Sequence, residues 1–181
     1  MLYICVNNTV KFISTMVNKC SSNSYKRKSL RYGGYDYSNP GLYFITICTQ
    51  KHVCLLGEIN QDKAILNNAG KMVEKWYHEL ENKFNSVKCL DMVVMPNHFH
   101  CIIKKEDSNS SLIEIFHWFK TMTTNEYIRG VKQLGWPRFD GKLWQRGYWD
   151  HIIRDQKTHE NISKYIFHNP LNWKSDKLYK P

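Results

Sequence analysis

The chain of 181 residues is 42% apolar and 14% aromatic and carries a formal net charge of +10, which is enough apolar material for one packed domain and a surplus of cations that draws it towards a polyanion. Its six cysteines form no CxxC pair and are too sparse for a secreted disulfide scaffold, so reduced thiols in a cytoplasm are expected. No apolar run approaches the roughly 20 residues that span a bilayer, and the cations do not collect on one face of an amphipathic helix, so nucleic acid is the expected polyanion and a membrane is not.

In chain order, residues 1–20 mix apolar and polar groups without the compact apolar run of a signal peptide. The stretch that follows is polar, basic and Gly-containing up to Asn39-Pro40-Gly41, so residues 1–38 read as a flexible basic extension and 39–181 as the folded domain. Leu42 to Thr49 has the β-branched and aromatic density of a buried strand. Met72, Val73, Trp76, Tyr77 and Leu80 recur at helical spacing, which predicts an amphipathic helix over Asn68 to Phe84. Val87 to Met95 and His98 to Lys104 read as a hairpin closed by Pro96-Asn97. After a cap at Ser110 or Ser111, the apolar positions Leu112, Ile115, Phe116, Phe119 and Met122 mark a second helix reaching about Arg129. A loop from Gly130 to Lys142, a strand from Tyr148 to Arg154, and a last helix from near Thr158 to just before Pro170 complete the order. The order βαββαβ plus one helix predicts an α+β, ferredoxin-like antiparallel sheet, with two helices on one face and an extra C-terminal helix.

Two groups of residues carry candidate chemistry. On a strand, alternate side chains share a face, so His98 and His100 point one way and Phe99 the other, and two neighbouring imidazoles can bind one divalent metal. On a helix, positions four apart share a face, so Tyr165 and Asn169 look into the same space. A tyrosine hydroxyl can act as a covalent nucleophile, and an amide oxygen can complete the coordination of a hard cation. Each group alone also fits a plainer role, the histidines as a hydrogen-bonded pair, Tyr165 as core and Asn169 as a helix end before Pro170. Outside them, Lys26, Arg27, Lys28 and Arg31 form a basic arm suited to tracking phosphates, and Trp144, Arg146, Tyr148 and Trp149 interleave aromatic and cation as a base-stacking surface would. Glu58 and Asp150 are the available auxiliary carboxylates, while His151 and Arg154 have no assigned role.

Four stretches in order, GYDYSNPGLYFITICT, VVMPNHFHCII, LWQRGYWDHIIR and YIFHNPLNW, make the chain resemble the HUH single-tyrosine transposases, specifically their REP-associated (RAYT) branch, over about Ser29 to Lys174. That resemblance implies a metal-dependent single-stranded DNA endonuclease and strand transferase acting next to hairpin repeats, with 39–181 as its catalytic domain. It further implies that His98 and His100 hold Mg²⁺ or Mn²⁺, that Asn169 occupies the third ligand position, and that Tyr165 is the nucleophile of a 5′-phosphotyrosine intermediate. Related insertion-sequence enzymes commonly have Gln at the position of Asn169. No nucleotide cofactor is expected, since there is no phosphate-cradling Gly-rich loop, and a monomer is expected in preference to a homodimer. The alternative is a nucleic-acid-binding protein of ferredoxin-like fold without catalysis; it lacks the RNP-type pattern and gives no reason for the histidine pair, Tyr165 and Asn169 to occur together.

Overall fold

The structure, a computed structural model, describes residues 36–180. The expected basic arm of Lys26, Arg27, Lys28 and Arg31 lies outside the described residues. The elements are β1 (Gly41–Cys48), β2 (Gly57–Asn60), β3 (Lys63–Leu66), α1 (Asn68–Lys83), β4 (Val87–Met95), β5 (His98–Lys105), α2 (Leu112–Gln133), β6 (Trp149–Ile153) and α3 (Gln156–His168). Four of the strands form one sheet in the order β4-β5-β1-β6, and every neighbouring pair is antiparallel. This is the expected ferredoxin-like arrangement, with β5 and β1 at the centre and β6 at an edge.

The period of two sorts each central strand into two faces. Tyr43, Ile45 and Ile47 of β1 and Phe99, Cys101 and Ile103 of β5 enter the main core with Met72, Val73, Tyr77 and Leu80 of α1 and Ile115, Phe116 and Phe119 of α2. Phe99 is clasped there, its ring 5.4 Å from Tyr77 and 5.5 Å from Phe119. Each such side chain contributes about 1.5–3 kcal/mol by leaving water. The opposite face is smaller: Phe44, Ile102 and Ile153 pack against Ile162 and Ile166 of α3. So α1 and α2 cover one side of the sheet and α3 the other, and the residue pairs that alternate with the main core are delivered to α3.

Helix starts follow side-chain caps that accept orphan backbone N–H groups. Asn67 accepts from the Gly70 N–H at 3.0 Å and Ser111, not Ser110, from Glu114 at 3.1 Å. Asp155 accepts from Thr158 at 2.8 Å, which starts α3 at Gln156, two residues earlier than its apolar pattern shows. Two elements depart from expectation. The short hairpin β2–β3 has no clear signature in local pattern, because its four-residue strands alternate too briefly and its turn residues Gln61 and Asp62 adopt left-handed φ of 48° and 59° without a glycine to announce them. Helix α2 runs through Gly130 to Gln133 instead of ending there, since Gly130 is a packing position: the Trp136 ring occupies the space a β-carbon would need.

Candidate active site

His98 and His100 lie on the α3 face of β5, 0% and 2% exposed, with ring centroids 4.5 Å apart. His100 sits opposite Thr46 of β1, whose Oγ1 is 2.7 Å from its Nδ1, and Phe44 stacks on the same ring at 5.3 Å. From the helix side, Tyr165 brings its hydroxyl to 3.4 Å from His100 Nε2, its ring also meeting Phe44 edge-on at 6.0 Å. One turn further, Asn169 caps α3 and is buried. Beyond a single turn of 3-10 helix over Trp173–Ser175, the chain folds back and Asp176 reaches the cluster, where a carboxylate oxygen and one nitrogen of each histidine all lie within 4.8 Å of one another. Asn169 Nδ2 donates to Asp176 Oδ2 at 3.3 Å, and Trp173 covers His98 at 5.9 Å.

Burial dominates the electrostatics. It pushes the His98 pKa down to about 4, against the opposing pull of the Asp176 carboxylate and the Asn169 amide beside it. Burial likewise holds His100 well below its ordinary value, with His98 adding to the effect. Both imidazoles are therefore neutral at pH 7 and each keeps a lone pair. His98 Nε2 and Asn169 Oδ1 are buried without a well-formed hydrogen bond to any described residue, although the Asn169 side chain lies close enough to His98 to favour its charged form. Since the Asn169 NH₂ group is engaged by Asp176, what remains is an amide oxygen beside an imidazole nitrogen. An unsatisfied buried acceptor costs about 1–3 kcal/mol, and a divalent cation would relieve both. Two imidazole nitrogens, an amide oxygen and a carboxylate suit such an ion.

The remaining candidates divide by face. Residues directly opposite in an antiparallel ladder share a face, so Trp149 of β6, opposite Thr46, and His151, opposite Phe44, lie on the His100 side of the sheet. Trp149 is half-buried, and Arg146 is exposed in the preceding loop. Trp144 and Tyr148 depart from the expected base-stacking surface: they are only 4% and 7% exposed and belong to the main core. Trp144 donates from Nε1 to Thr123 Oγ1 at 2.9 Å and Tyr148 packs on Phe116 at 5.3 Å, so their rings are covered by α2. Neither expected carboxylate joins the histidines. Asp150 is opposite Ile45, on the α1–α2 side, and Glu58 is exposed on the β2–β3 hairpin. Asp176 takes that place, and no local spacing announces it, because it arrives by a reversal of the chain after α3.

The class to which this chain belongs is that of the transposases. A family model described as "Transposase IS200 like" matches residues 43–169, from β1 to Asn169, and the chain belongs to that family. An uncharacterised protein of Haemophilus influenzae is 33% identical over 178 residues, covering 91% of this chain and 99% of its own. A second Haemophilus influenzae protein, provisionally named a REP-associated tyrosine transposase, is 27% identical over 141 residues, with 75% of this chain and 73% of its own covered. Among solved structures, a REP-associated tyrosine transposase bound to a REP hairpin shares the fold with a TM-score of 0.57 at 20% identity, over 78% of this chain and 73% of that one.

Proposed function

We propose that this transposase is a divalent-cation-dependent endonuclease and strand transferase for single-stranded DNA, with Tyr165 as nucleophile. The observation that carries the reading is the Tyr165 hydroxyl lying 3.4 Å from His100 Nε2, beside the unpartnered His98 Nε2 and Asn169 Oδ1. A binding protein without catalysis has no use for that juxtaposition. Tyr165 Oη attacks phosphorus of a DNA phosphodiester, the bond from phosphorus to the 3′ oxygen breaks, and the phenolic proton ends on the departing 3′-hydroxyl. The products are a 5′-phosphotyrosine and a free 3′ end. One phosphodiester is exchanged for another, so no nucleotide cofactor is consumed, and attack by a second 3′-hydroxyl rejoins the strand.

His98, His100, Asn169 and Asp176 would hold Mg²⁺ or Mn²⁺, which when bound supplies charge stabilisation at the phosphate oxygens. Phe44 and the β1 sheet position fix His100, and α3 fixes Tyr165 against it. A phenol with an unperturbed pKa of about 10 is a poor nucleophile at pH 7, so its placement beside that cluster is what makes attack feasible. Trp149 on the edge strand suits stacking of an unpaired base, and exposed Arg146 suits a phosphate; the cations Lys26, Arg27, Lys28 and Arg31 would add charge for phosphate contacts. The hairpin carried by the structurally similar transposase suggests DNA flanking a hairpin as substrate. Histidines and tyrosine meet within one chain, which supports a monomer. No helix among the described residues is long and apolar enough to cross a membrane.

The test is incubation with labelled single-stranded oligonucleotides carrying hairpin repeats from beside the gene, in Mg²⁺ or Mn²⁺, followed by a denaturing gel. A label migrating with the protein, lost on chelation and absent in Tyr165→Phe, is the expected result. Tight DNA binding with no adduct in either metal overturns the reading in favour of a repeat-binding protein.

A further inference from the structure

The turn between β4 and β5 buries a side chain that the proposed reaction does not use. Asn97 is 0% exposed, although a turn asparagine ordinarily faces water. Its Nδ2 donates to the Leu178 carbonyl at 2.8 Å and to the His52 carbonyl at 3.2 Å, and its Oδ1 lies 2.8 Å from His98 Nδ1. Its own carbonyl is pinned by the Thr49 N–H at 2.9 Å and the Thr49 hydroxyl at 3.0 Å. The amide orientation is therefore decided by chemistry. Carbonyl oxygens only accept, so the group facing Leu178 and His52 is the NH₂, and the atom facing His98 is the amide oxygen. An imidazole nitrogen 2.8 Å from an acceptor must carry the hydrogen. A neutral imidazole has one N–H, so the other nitrogen, Nε2, is left with the lone pair.

We propose that Asn97 is a positioning residue that locks His98 in the Nδ1–H tautomer, so that buried Nε2 presents its lone pair to a divalent cation. The proposal rests on the reading of His98 as a metal ligand. A second feature ties Asn97 to the rest of the site. Leu178, whose carbonyl accepts from Asn97, donates its N–H to Asp176 Oδ1 at 2.7 Å, and Asp176 Oδ2 accepts from Asn169 at 3.3 Å. The chain of hydrogen bonds His98–Asn97–Leu178–Asp176–Asn169 thus runs around the two unpartnered acceptors, His98 Nε2 and Asn169 Oδ1. Each link orients the next, and all of them leave an acceptor turned inwards. Without Asn97, the His98 hydrogen can move to Nε2 and donate to Asn169 Oδ1, which satisfies both orphans and closes the site to a cation.

The test reads the tautomer directly, in the metal-free full chain, by long-range ¹H–¹⁵N correlation of the imidazoles, with His98→Gln assigning the signals. Wild type is expected to show His98 as Nδ1–H, Asn97→Asp to keep that pattern because a carboxylate also accepts, and Asn97→Ala to shift to Nε2–H. Mn²⁺ affinity by electron paramagnetic resonance should fall about 10- to 100-fold in Asn97→Ala and by much less in Asn97→Asp. A merely structural Asn97 predicts the reverse order, since Asp loses both donor bonds and buries a charge near two carbonyls. An Nε2–H tautomer in wild type, or an Asp variant that loses as much affinity as Ala, overturns the proposal. Wild type showing Nδ1–H but binding no Mn²⁺ overturns the metal reading instead, and the variants' tautomers then still decide what Asn97 does.

Discussion

Acidification should destabilise this fold well above the range in which carboxylates titrate, and the burial of His98 sets the size of the effect. In the unfolded chain the imidazole titrates at its ordinary value of 6.5, whereas in the fold it is held at about 4. The folded state therefore binds fewer protons between those values, so stability is fully present above pH 6.5 and falls as pH drops towards 4. At pH 5 the unfolded chain is almost fully protonated at this site and the folded one barely so, which amounts to a loss of about 2 kcal/mol relative to pH 7.5. His100, His52 and His151 are all shifted in the same direction by burial, so they add to the loss and none opposes it. Against a typical total of about 5–15 kcal/mol, this is a large fraction. Urea denaturation of the metal-free protein at pH 7.5, 6.5, 5.5 and 5.0 is the assay, with His98→Gln expected to flatten the curve. Stability that is constant within about 0.5 kcal/mol over that range, or that rises on acidification, would refute a buried neutral histidine pair.

Asp176→Asn removes the carboxylate that joins the cluster among the described residues, so Mn²⁺ affinity should drop at least about tenfold, and because an amide keeps only one of the two acceptor oxygens used by Leu178 and Asn169, the metal-free melting temperature should fall as well; calorimetric titration checks the first, and unchanged affinity would remove Asp176 from the ligand set. The two tryptophans flanking the β6 approach should separate by phenotype. Trp149→Ala should weaken single-stranded DNA binding by about 1–3 kcal/mol while leaving the fold intact, whereas Trp144→Ala should lose about 3–5 kcal/mol of stability; filter binding and thermal melts of both variants test the pair. Saturating Mn²⁺ at about 100 times its dissociation constant should stabilise the wild type by about 2.7 kcal/mol, and the absence of any shift in melting temperature would count against the cation site.

Much of this protein is legible in local pattern, because strands and helices impose their periods on neighbouring residues. The alternation through His98-Phe99-His100 already places both imidazoles on one face, and the structure agrees, with Phe99 held between Tyr77 and Phe119 on the other. The spacing of Tyr165 and Asn169 places them on one side of α3 for the same reason, and the βαββαβ order is enough to imply the sheet. What periodicity does not contain is the identity of the surface that each face meets. Trp144, Tyr148 and Trp149 look alike in sequence, yet the first two turn under α2 and only the third shares a face with His100, because the ladder register of β6 on β1 puts Trp149 opposite Thr46, while Trp144 bridges to Thr49 outside that ladder. Asp176 and Asn97 acquire their roles only when the chain after α3 folds back onto the β4–β5 turn, a contact between residues about 80 positions apart that no short-range spacing encodes. Sequence alone determined the histidine pair, the tyrosine and the scaffold that carries them; tertiary structure decided which carboxylate joins them and which nitrogen of His98 faces inwards, since both depend on hydrogen bonds between distant segments.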